Sequence, residues 1–206
     1  MKTPSLAFPA MALLLVFASP AISQDQTWQA GSARIKITPD KLIFMSGYGS
    51  RDHPAEGKLT DLWAKALALR DPLGNRAVVI TLDLIGLDRG MSQQICGQLQ
   101  EKHDLQRRQI AICTSHTHTG PAVGRNLAPL HYLLLDEDQQ SAIDSYTEKL
   151  IANIIQVVDA AIAAMEPSRL SWGSGHCTVA VNRRNNSEAK VPELRKAGQL
   201  VGPSDH

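Results

Sequence analysis

The chain has 206 residues, a formal net charge of +1 and a hydrophobic content of 43%, which suits a globular domain with a core of its own. A net charge this close to zero gives no sign of the basic face that nucleic-acid binding requires, so we expect no nucleic-acid partner. The aromatic content of 4% indicates a core built mostly from aliphatic side chains.

The N-terminal segment is predicted to be a signal peptide that covers residues 1–23. A lysine precedes a short apolar run, and Ala21 and Ser23 stand where a signal peptidase prefers small residues. The run is short for a membrane span and is interrupted by proline, although an uncleaved anchor is the alternative. We therefore expect an exported, periplasmic or extracellular protein with no stable membrane span after cleavage, in which residues 24–206 form the folded part.

The cysteines do not indicate a disulfide framework, because there are three of them and they are widely spaced. Cys113 lies in an apolar run and is predicted to be a small buried hydrophobic residue. A bridge between Cys96 and Cys113 stays open as an alternative, and Cys177 would then be the unpaired residue.

The first half of the chain predicts three strands. "ARIKITP" (33–39) alternates and is closed by proline, and a polar, glycine-rich loop follows at 47–57. "LWAKALALRDPLGNRAVVITLDLIG" then predicts two strands joined by a Pro-Leu-Gly-Asn turn. The second of them, residues 77–84, is almost wholly apolar, as is typical of a strand covered on both faces.

A helix is predicted over residues 88–102, with Asp88 as its N-cap and an apolar face formed by Met91, Ile95 and Leu99. Another apolar strand follows at 107–115. A strand, a helix and a strand with short connections form a βαβ unit, so the two strands should run parallel.

A long helix is predicted over residues 139–165, with the acidic "LDEDQ" at its start and Pro167 at its end. "RLSWGSG" and "TVAVNRR" are predicted to be strands after it. The predicted fold class is α/β, with a mixed, largely parallel sheet flanked by helices.

Polar side chains follow both strands of the predicted βαβ unit. Ligands collect outside the carboxyl ends of parallel strands, where Asp83 and His116 are expected. His116 and His118 are two residues apart in "SHTHTG", so in extended chain they project from the same face. Imidazole is a zinc ligand, but a catalytic zinc ion usually has three protein ligands, so the pair alone would not form a tight site. Two polar residues in an ordinary loop are the alternative.

The other histidines give weaker signals. His53 and His103 are predicted to be solvated, and His176 to be a turn residue. His131 lies in a segment that could form a lid over the site, where it could touch a substrate.

The "SHTHTGPA" segment resembles the "THTHSGPGG" signature of the neutral (non-lysosomal) ceramidases, zinc amidases that hydrolyse the N-acyl bond of sphingolipids. The motifs "SGYGS" followed by "EGKLTDLWAKALAL", "VITLDLIGL" and "VAVNRR" occur in the order and spacing of that family's catalytic domain. The resemblance runs from about Trp28 to the end of the sequence.

The resemblance implies roles for individual residues. His116 matches a zinc ligand, and His118 matches a histidine that faces the substrate and assists catalysis. Arg183 matches an arginine that binds in the active site, and Asp83 matches a position near the metal with an orienting role. Gly47 and Tyr48, together with Gly49, are expected to shape the pocket wall.

The implied function is zinc-dependent hydrolysis of an N-acyl amide bond in a ceramide-like lipid or a related amide. The family completes its zinc site with a histidine, a glutamate and a tyrosine downstream of the arginine segment, whereas this sequence closes with "GQLVGPSDH". We therefore expect the N-terminal part of a catalytic domain. A non-catalytic relative with an incomplete metal site, and a metallohydrolase that acts on another ester or amide, stay open as alternatives.

Overall fold

The computed structural model describes residues 27–203 of the chain, so the predicted signal peptide lies outside the described residues. The chain forms two compact units. The first runs to Arg169, and the second begins at Leu170. Within the described range, no helix combines the length and the apolar character needed to cross a bilayer.

The first unit is a five-stranded sheet with helices, and its strand order is β4-β3-β2-β1-β5. Its elements in chain order are β1 (Trp28–Lys36), β2 (Trp63–Arg70), β3 (Arg76–Leu82), α1 (Arg89–His103), β4 (Ile110–Thr114), α2 (Glu137–Ala163) and β5 (Glu166–Ser168). The predicted α/β class with a mixed sheet is therefore confirmed.

The predicted preponderance of parallel pairing is wrong. In the described sheet β3 and β4 pair in parallel, whereas β1 with β2, β2 with β3 and β1 with β5 are antiparallel. The predicted turn between β2 and β3 is a tight hairpin, in which the amide of Asp71 donates to the Asn75 carbonyl at 2.9 Å. A connection this short returns the chain antiparallel, and only the longer crossover through α1 produces a parallel neighbour.

The predicted βαβ unit is confirmed in β3, α1 and β4, with a register that runs from Val78 opposite Ile110 to Leu82 opposite Thr114. Asp88 caps α1 as predicted, because its carboxylate accepts from the Met91 amide at 2.9 Å. Since β3 and β4 run in the same direction, the segments that follow them leave from the same edge of the sheet.

The helices pack on one face of the sheet. Alternation along β2 buries Ala64, Ala66 and Ala68 and leaves Lys65 on the opposite face. Gly31 of β1 allows the end of α2 to lie close against the sheet, because a Cβ at this position would be 2.1 Å from the Ala161 carbonyl oxygen of α2. Aliphatic side chains fill the space between sheet and helices, among them Val78, Ile80, Leu82, Ile95, Leu99, Leu150, Ile154 and Val158.

The prediction that Cys113 is buried is wrong, because it is exposed. Its Cα is paired with Thr81, which is paired in turn with Lys65, so Cys113 lies on the sheet face away from the helices. Cys96 is buried on α1, and Cys96, Cys113 and Cys177 are free thiols in the structure.

Helix α2 starts and ends within two residues of its predicted limits. Asp136 caps it by accepting from the Gln139 amide at 2.8 Å, and two acidic residues occupy the first turn. His103 was predicted to be solvated, but its Nε2 lies 2.7 Å from Asp159 of α2. Only 16% of the His103 side chain is exposed, so this pair joins the end of α1 to α2.

The described part of the second unit contains a 3₁₀ turn (Glu188–Lys190), an α-helix, α3 (Val191–Ala197), and a network around the buried side chain of Asn186. The Asn186 amide donates to the carbonyls of Asn182 and Val201 at 2.8 and 2.7 Å. The strands predicted in "RLSWGSG" and "TVAVNRR" are wrong, because residues 169–183 form no strand. Arg195 donates instead to the carbonyls of Thr178 and Val179 in this segment.

Candidate active site

His116 lies in the loop that follows β4. Its φ of 57° lies in the left-handed region, which a residue other than glycine adopts at a cost of about 1–3 kcal/mol. Its Nδ1 lies 2.9 Å from the Ile85 carbonyl oxygen, in the loop after β3. Because a carbonyl can only accept, Nδ1 must carry the hydrogen, and in the neutral form of the ring Nε2 then has a free lone pair.

The two histidines of the "SHTHTG" segment converge. The centroids of the His116 and His118 rings are 5.1 Å apart, and the ring planes are inclined at 79°. The Nδ1 atom of His118 is buried and has no hydrogen-bond partner among residues 27–203. The loop therefore places two imidazoles side by side at the carboxyl end of β4.

Asp83 lies at the end of β3, as expected, but its carboxylate is engaged elsewhere. It accepts from the Trp63 amide at 2.9 Å and so holds the first residue of β2. The group that orients His116 is the Ile85 carbonyl, two residues further along the chain. A backbone carbonyl leaves no signal in the sequence, so composition could not have indicated this contact.

The glycine-rich loop packs against His118. Gly47 has a φ of 113°, and a Cβ at this position would lie 2.6 Å from the Cγ of the His118 ring. The Tyr48 ring meets the same imidazole edge-on, with 4.8 Å between the centroids. Gly49 lies against Leu130 in the same way, since a Cβ there would be 2.7 Å from the Leu130 Cδ1.

Backbone pairing holds the two loops together. Met45 and Pro121 form an isolated antiparallel bridge. Next to it the Ser46 amide donates to the Gly120 carbonyl at 3.0 Å, and the Ala122 amide donates to the Phe44 carbonyl at 2.8 Å. The approach of Gly47 to His118 is therefore part of a short two-stranded contact.

Two further residues belong to this contact: Arg51, which the sequence did not single out, and His131, which was expected in a lid over the site. Arg51 donates from Nη1 to the Ser46 carbonyl at 2.9 Å and from Nη2 to the His118 carbonyl at 2.7 Å. His131 accepts through Nε2 from the Gly47 amide at 3.1 Å. The apolar neighbours of His131 in "APLHYLLL" are the one sequence signal that could have indicated its burial.

His131 was predicted to lie in a lid, where it could touch a substrate. It is instead 2% exposed and lies between two 3₁₀ turns, Ala128–Leu130 and Tyr132–Leu134. Burial lowers the pKa of His131, and the positive charge of Arg51 lowers it further. Both effects favour the neutral ring, which is the form that can accept from Gly47.

Arg183 belongs to the second unit, where its guanidinium forms an ion pair with Glu188. Its role in an active site stays a prediction.

A zinc ion is expected at this site, and the described residues provide some of the ligands that it would need. The hydrogen bond from His116 to a carbonyl is the arrangement that fixes a metal-binding imidazole with its other nitrogen free. However, no group of three or more His, Cys, Asp or Glu side chains within residues 27–203 is placed to hold a metal ion. The described chain therefore offers imidazole donors, but fewer than the three protein ligands that are usual for catalytic zinc.

Fold and site together define an α/β protein with a histidine-based candidate active site at the carboxyl ends of β3 and β4. The chain belongs to the family described as "Neutral/alkaline non-lysosomal ceramidase, N-terminal", whose profile matches residues 28–198. The resemblance seen in the sequence motifs is thereby confirmed.

Two curated relatives show the extent of the similarity. The chain is 25% identical to the neutral ceramidase of Pseudomonas aeruginosa over 196 residues, which cover 91% of this chain and 28% of the relative. It is 28% identical to the neutral ceramidase of Drosophila melanogaster over 124 residues, which cover 58% of this chain and 17% of the relative. The chain thus spans less than a third of the length of these relatives.

Two solved structures share the fold. One is described as "Ceramidase complexed with C2" and matches with a TM-score of 0.66 and 24% identity, over 87% of this chain and 28% of its own. The crystal structure of neutral ceramidase from Pseudomonas aeruginosa matches with a TM-score of 0.57 and 21% identity, over 69% of this chain and 22% of its own. At these identities the likeness concerns the fold.

Proposed function

We propose that the chain forms part of a zinc-dependent hydrolase that cleaves the N-acyl amide bond of a ceramide-like lipid or a related amide. The observation that carries the proposal is the hydrogen bond from Nδ1 of His116 to the Ile85 carbonyl, which leaves Nε2 free beside a second imidazole. Membership of the ceramidase family supports the choice of an amide substrate.

His116 would hold the metal through Nε2. When bound there, zinc supplies Lewis acidity toward an amide carbonyl and toward a water molecule. Ile85 keeps the His116 ring in the required tautomer, because its carbonyl engages the Nδ1 hydrogen. The left-handed backbone of His116 is consistent with a functional position, since such strain collects at active sites.

His118 would transfer the proton. As water adds to the carbonyl carbon, the imidazole takes a proton from the water oxygen, and it returns the proton to the amine nitrogen as the carbon–nitrogen bond breaks. The products are a carboxylic acid and an amine. Arg183 would hold a substrate oxygen through its forked guanidinium.

The surface beside the glycine-rich loop favours a substrate with an apolar part. Four leucines between residues 127 and 134 are exposed, and their exposed fractions range from 42% to 74%. Single exposed leucines are common, so it is the occurrence of four within eight consecutive residues that favours an apolar ligand. One of them, Leu130, contacts Gly49, two residues from the glycine that packs on His118.

Metal content tests the first part of the proposal. Zinc bound by the full chain is measured by equilibrium dialysis and atomic absorption, and His116→Gln should bind less zinc than the unchanged chain. His103→Gln is the matched control, because His103 lies at the far end of α1 and pairs with Asp159. Equal zinc in His116→Gln and in the unchanged chain would exclude His116 as a ligand.

Hydrolysis tests the second part. The chain is incubated with zinc and a panel of ceramides, simple fatty amides and esters, and the released acid is measured. Where acid is released from N-acyl substrates, we expect the release to be lost in His118→Gln. Release from esters alone would favour a different metallohydrolase. Weak zinc binding without release from any substrate would favour a non-catalytic relative with an incomplete site.

A further inference from the structure

Arg51 joins the backbones of the two loops that meet at His118. Its Nη1 donates to the Ser46 carbonyl at 2.9 Å, and its Nη2 donates to the His118 carbonyl at 2.7 Å. A guanidinium is a rigid, planar fork that can hold two acceptors at once, whereas a lysine ammonium is a point charge on a flexible stem. Arg51 therefore couples the position of the glycine-rich loop to the position of His118.

The same side chain also supports a ring that contacts His118. The guanidinium carbon of Arg51 lies 5.3 Å from the centroid of the Tyr48 ring, within the range of a cation–π contact. The Tyr48 ring lies 4.8 Å from the His118 ring, and Gly47 closes a further side of the imidazole. The segment held by Arg51 thus forms two walls around His118.

His131 holds this segment from a second direction. Its buried Nε2 accepts from the Gly47 amide at 3.1 Å, across 84 residues of sequence. His131 already fixes the backbone at Gly47, so the contacts of Arg51 fix two other parts of the site. These are the His118 main chain and the Tyr48 ring.

We propose that Arg51 is a positioning residue that keeps the His118 ring oriented for proton transfer. The role of this orientation in catalysis rests on the proposed function. The orientation itself is a property of the chain and can be measured without substrate or metal. Arg51→Lys keeps the positive charge but cannot bridge both carbonyls, so it separates geometry from charge.

The test is the ring signal of His118 in the NMR spectrum of the ¹³C-histidine-labelled chain. The signal is assigned by its loss in His118→Gln. In the unchanged chain the neighbouring rings of Tyr48 and His116 should displace it, and in Arg51→Lys it should broaden or move toward the position of a solvated histidine. The signal of His103 should not move.

Arg34→Lys is the matched control, because Arg34 also covers an aromatic ring, that of Trp63, at 4.7 Å but lies within β1. It should leave the His118 signal unchanged. A His118 signal that is equally unchanged in folded Arg51→Lys would overturn the proposal. Collapse of all histidine signals in both Arg51→Lys and Arg51→Gln would also overturn it, because Arg51 would then serve the fold as a whole.

Hydrolysis adds a second readout. Where the chain hydrolyses an N-acyl substrate, Arg51→Lys should lower kcat by about tenfold to hundredfold and leave KM unchanged, because misorientation affects the transition state more than binding. If His118→Gln keeps its hydrolysis rate while Arg51→Lys still moves the His118 signal, the proposed function fails and the positioning by Arg51 stands.

Discussion

Replacement of Gly47 by alanine is the sharpest perturbation of the candidate site. The added methyl carbon would lie 2.6 Å from Cγ and 2.8 Å from Nδ1 of His118. Ordinary contact between carbon atoms needs about 3.5–4.0 Å, so the loop and the imidazole must separate by about 1 Å. The backbone adds strain, because a φ of 113° is favourable only for glycine.

Two effects follow from this geometry. Backbone strain of this kind costs about 1–3 kcal/mol, and we expect the free energy of unfolding to fall by that amount. Displacement of a catalytic group by about 1 Å can lower a reaction rate by about a hundredfold. Gly47→Ala should therefore reduce N-acyl hydrolysis far more than its loss of stability would suggest.

Urea unfolding and the ring signal of His118 measure the two effects separately. Gly57→Ala is the matched control, since Gly57 lies in the same loop and no atom of the described chain is within 4 Å of the added carbon. The control should leave both measurements nearly unchanged. If Gly47→Ala were as stable as the control and its His118 signal stayed in place, the packing of Gly47 on His118 would be wrong.

Three further predictions concern stability. Gly97→Ala should raise the free energy of unfolding by about 0.5–1 kcal/mol in urea unfolding, because Gly97 lies inside α1 and, apart from the adjacent backbone of α1 itself, no described atom is within 4 Å of the added carbon. A loss of stability would contradict this. Asp88→Ala should lower it by about 1–2 kcal/mol, because the carboxylate accepts from the amides of Met91 and Arg125 at 2.9 and 2.7 Å; an unchanged midpoint would show that the cap is dispensable. The neutral ring of His131 should contribute stability that is complete above its ordinary pKa of 6.5 and is lost as the pH falls toward its lowered pKa in the folded chain. Unfolding between pH 7.5 and 5 should show this loss, and His131→Gln, which cannot titrate, should show less of it.

Much of the fold could be predicted because its signals are local. The predicted cap of α1, Asp88, stands immediately before that helix, and the acidic residues predicted at the start of α2 lie in its first turn. The hairpin at 71–75 depends on a turn of five residues. The histidine pair could be expected at a strand end because it follows directly on the apolar run of β4, and because β3, α1 and β4 are consecutive elements of one βαβ unit.

Strand pairing could not be read in the same way. The βαβ unit predicts the parallel pairing of β3 with β4, but the sequence does not show that the other neighbour of β3 is antiparallel. Alternation in "TVAVNRR" predicted a strand, but a strand forms only where another strand meets its backbone. Cys113 is exposed because the helices cover the other face of the sheet, which the sequence of β4 does not reveal.

The candidate site also has one part that the sequence indicates and another that depends on the folded chain. The sequence, through its motifs, was enough to indicate the family, the position of His116 and His118 and the glycine-rich loop, since each lies within a few consecutive residues. The contacts that orient them join distant parts of the chain, because Arg51 and His118 are 67 positions apart in the sequence and Gly47 and His131 are 84 positions apart. Only the folded chain brings such groups to hydrogen-bond distance, because packing and not sequence separation sets which loops meet.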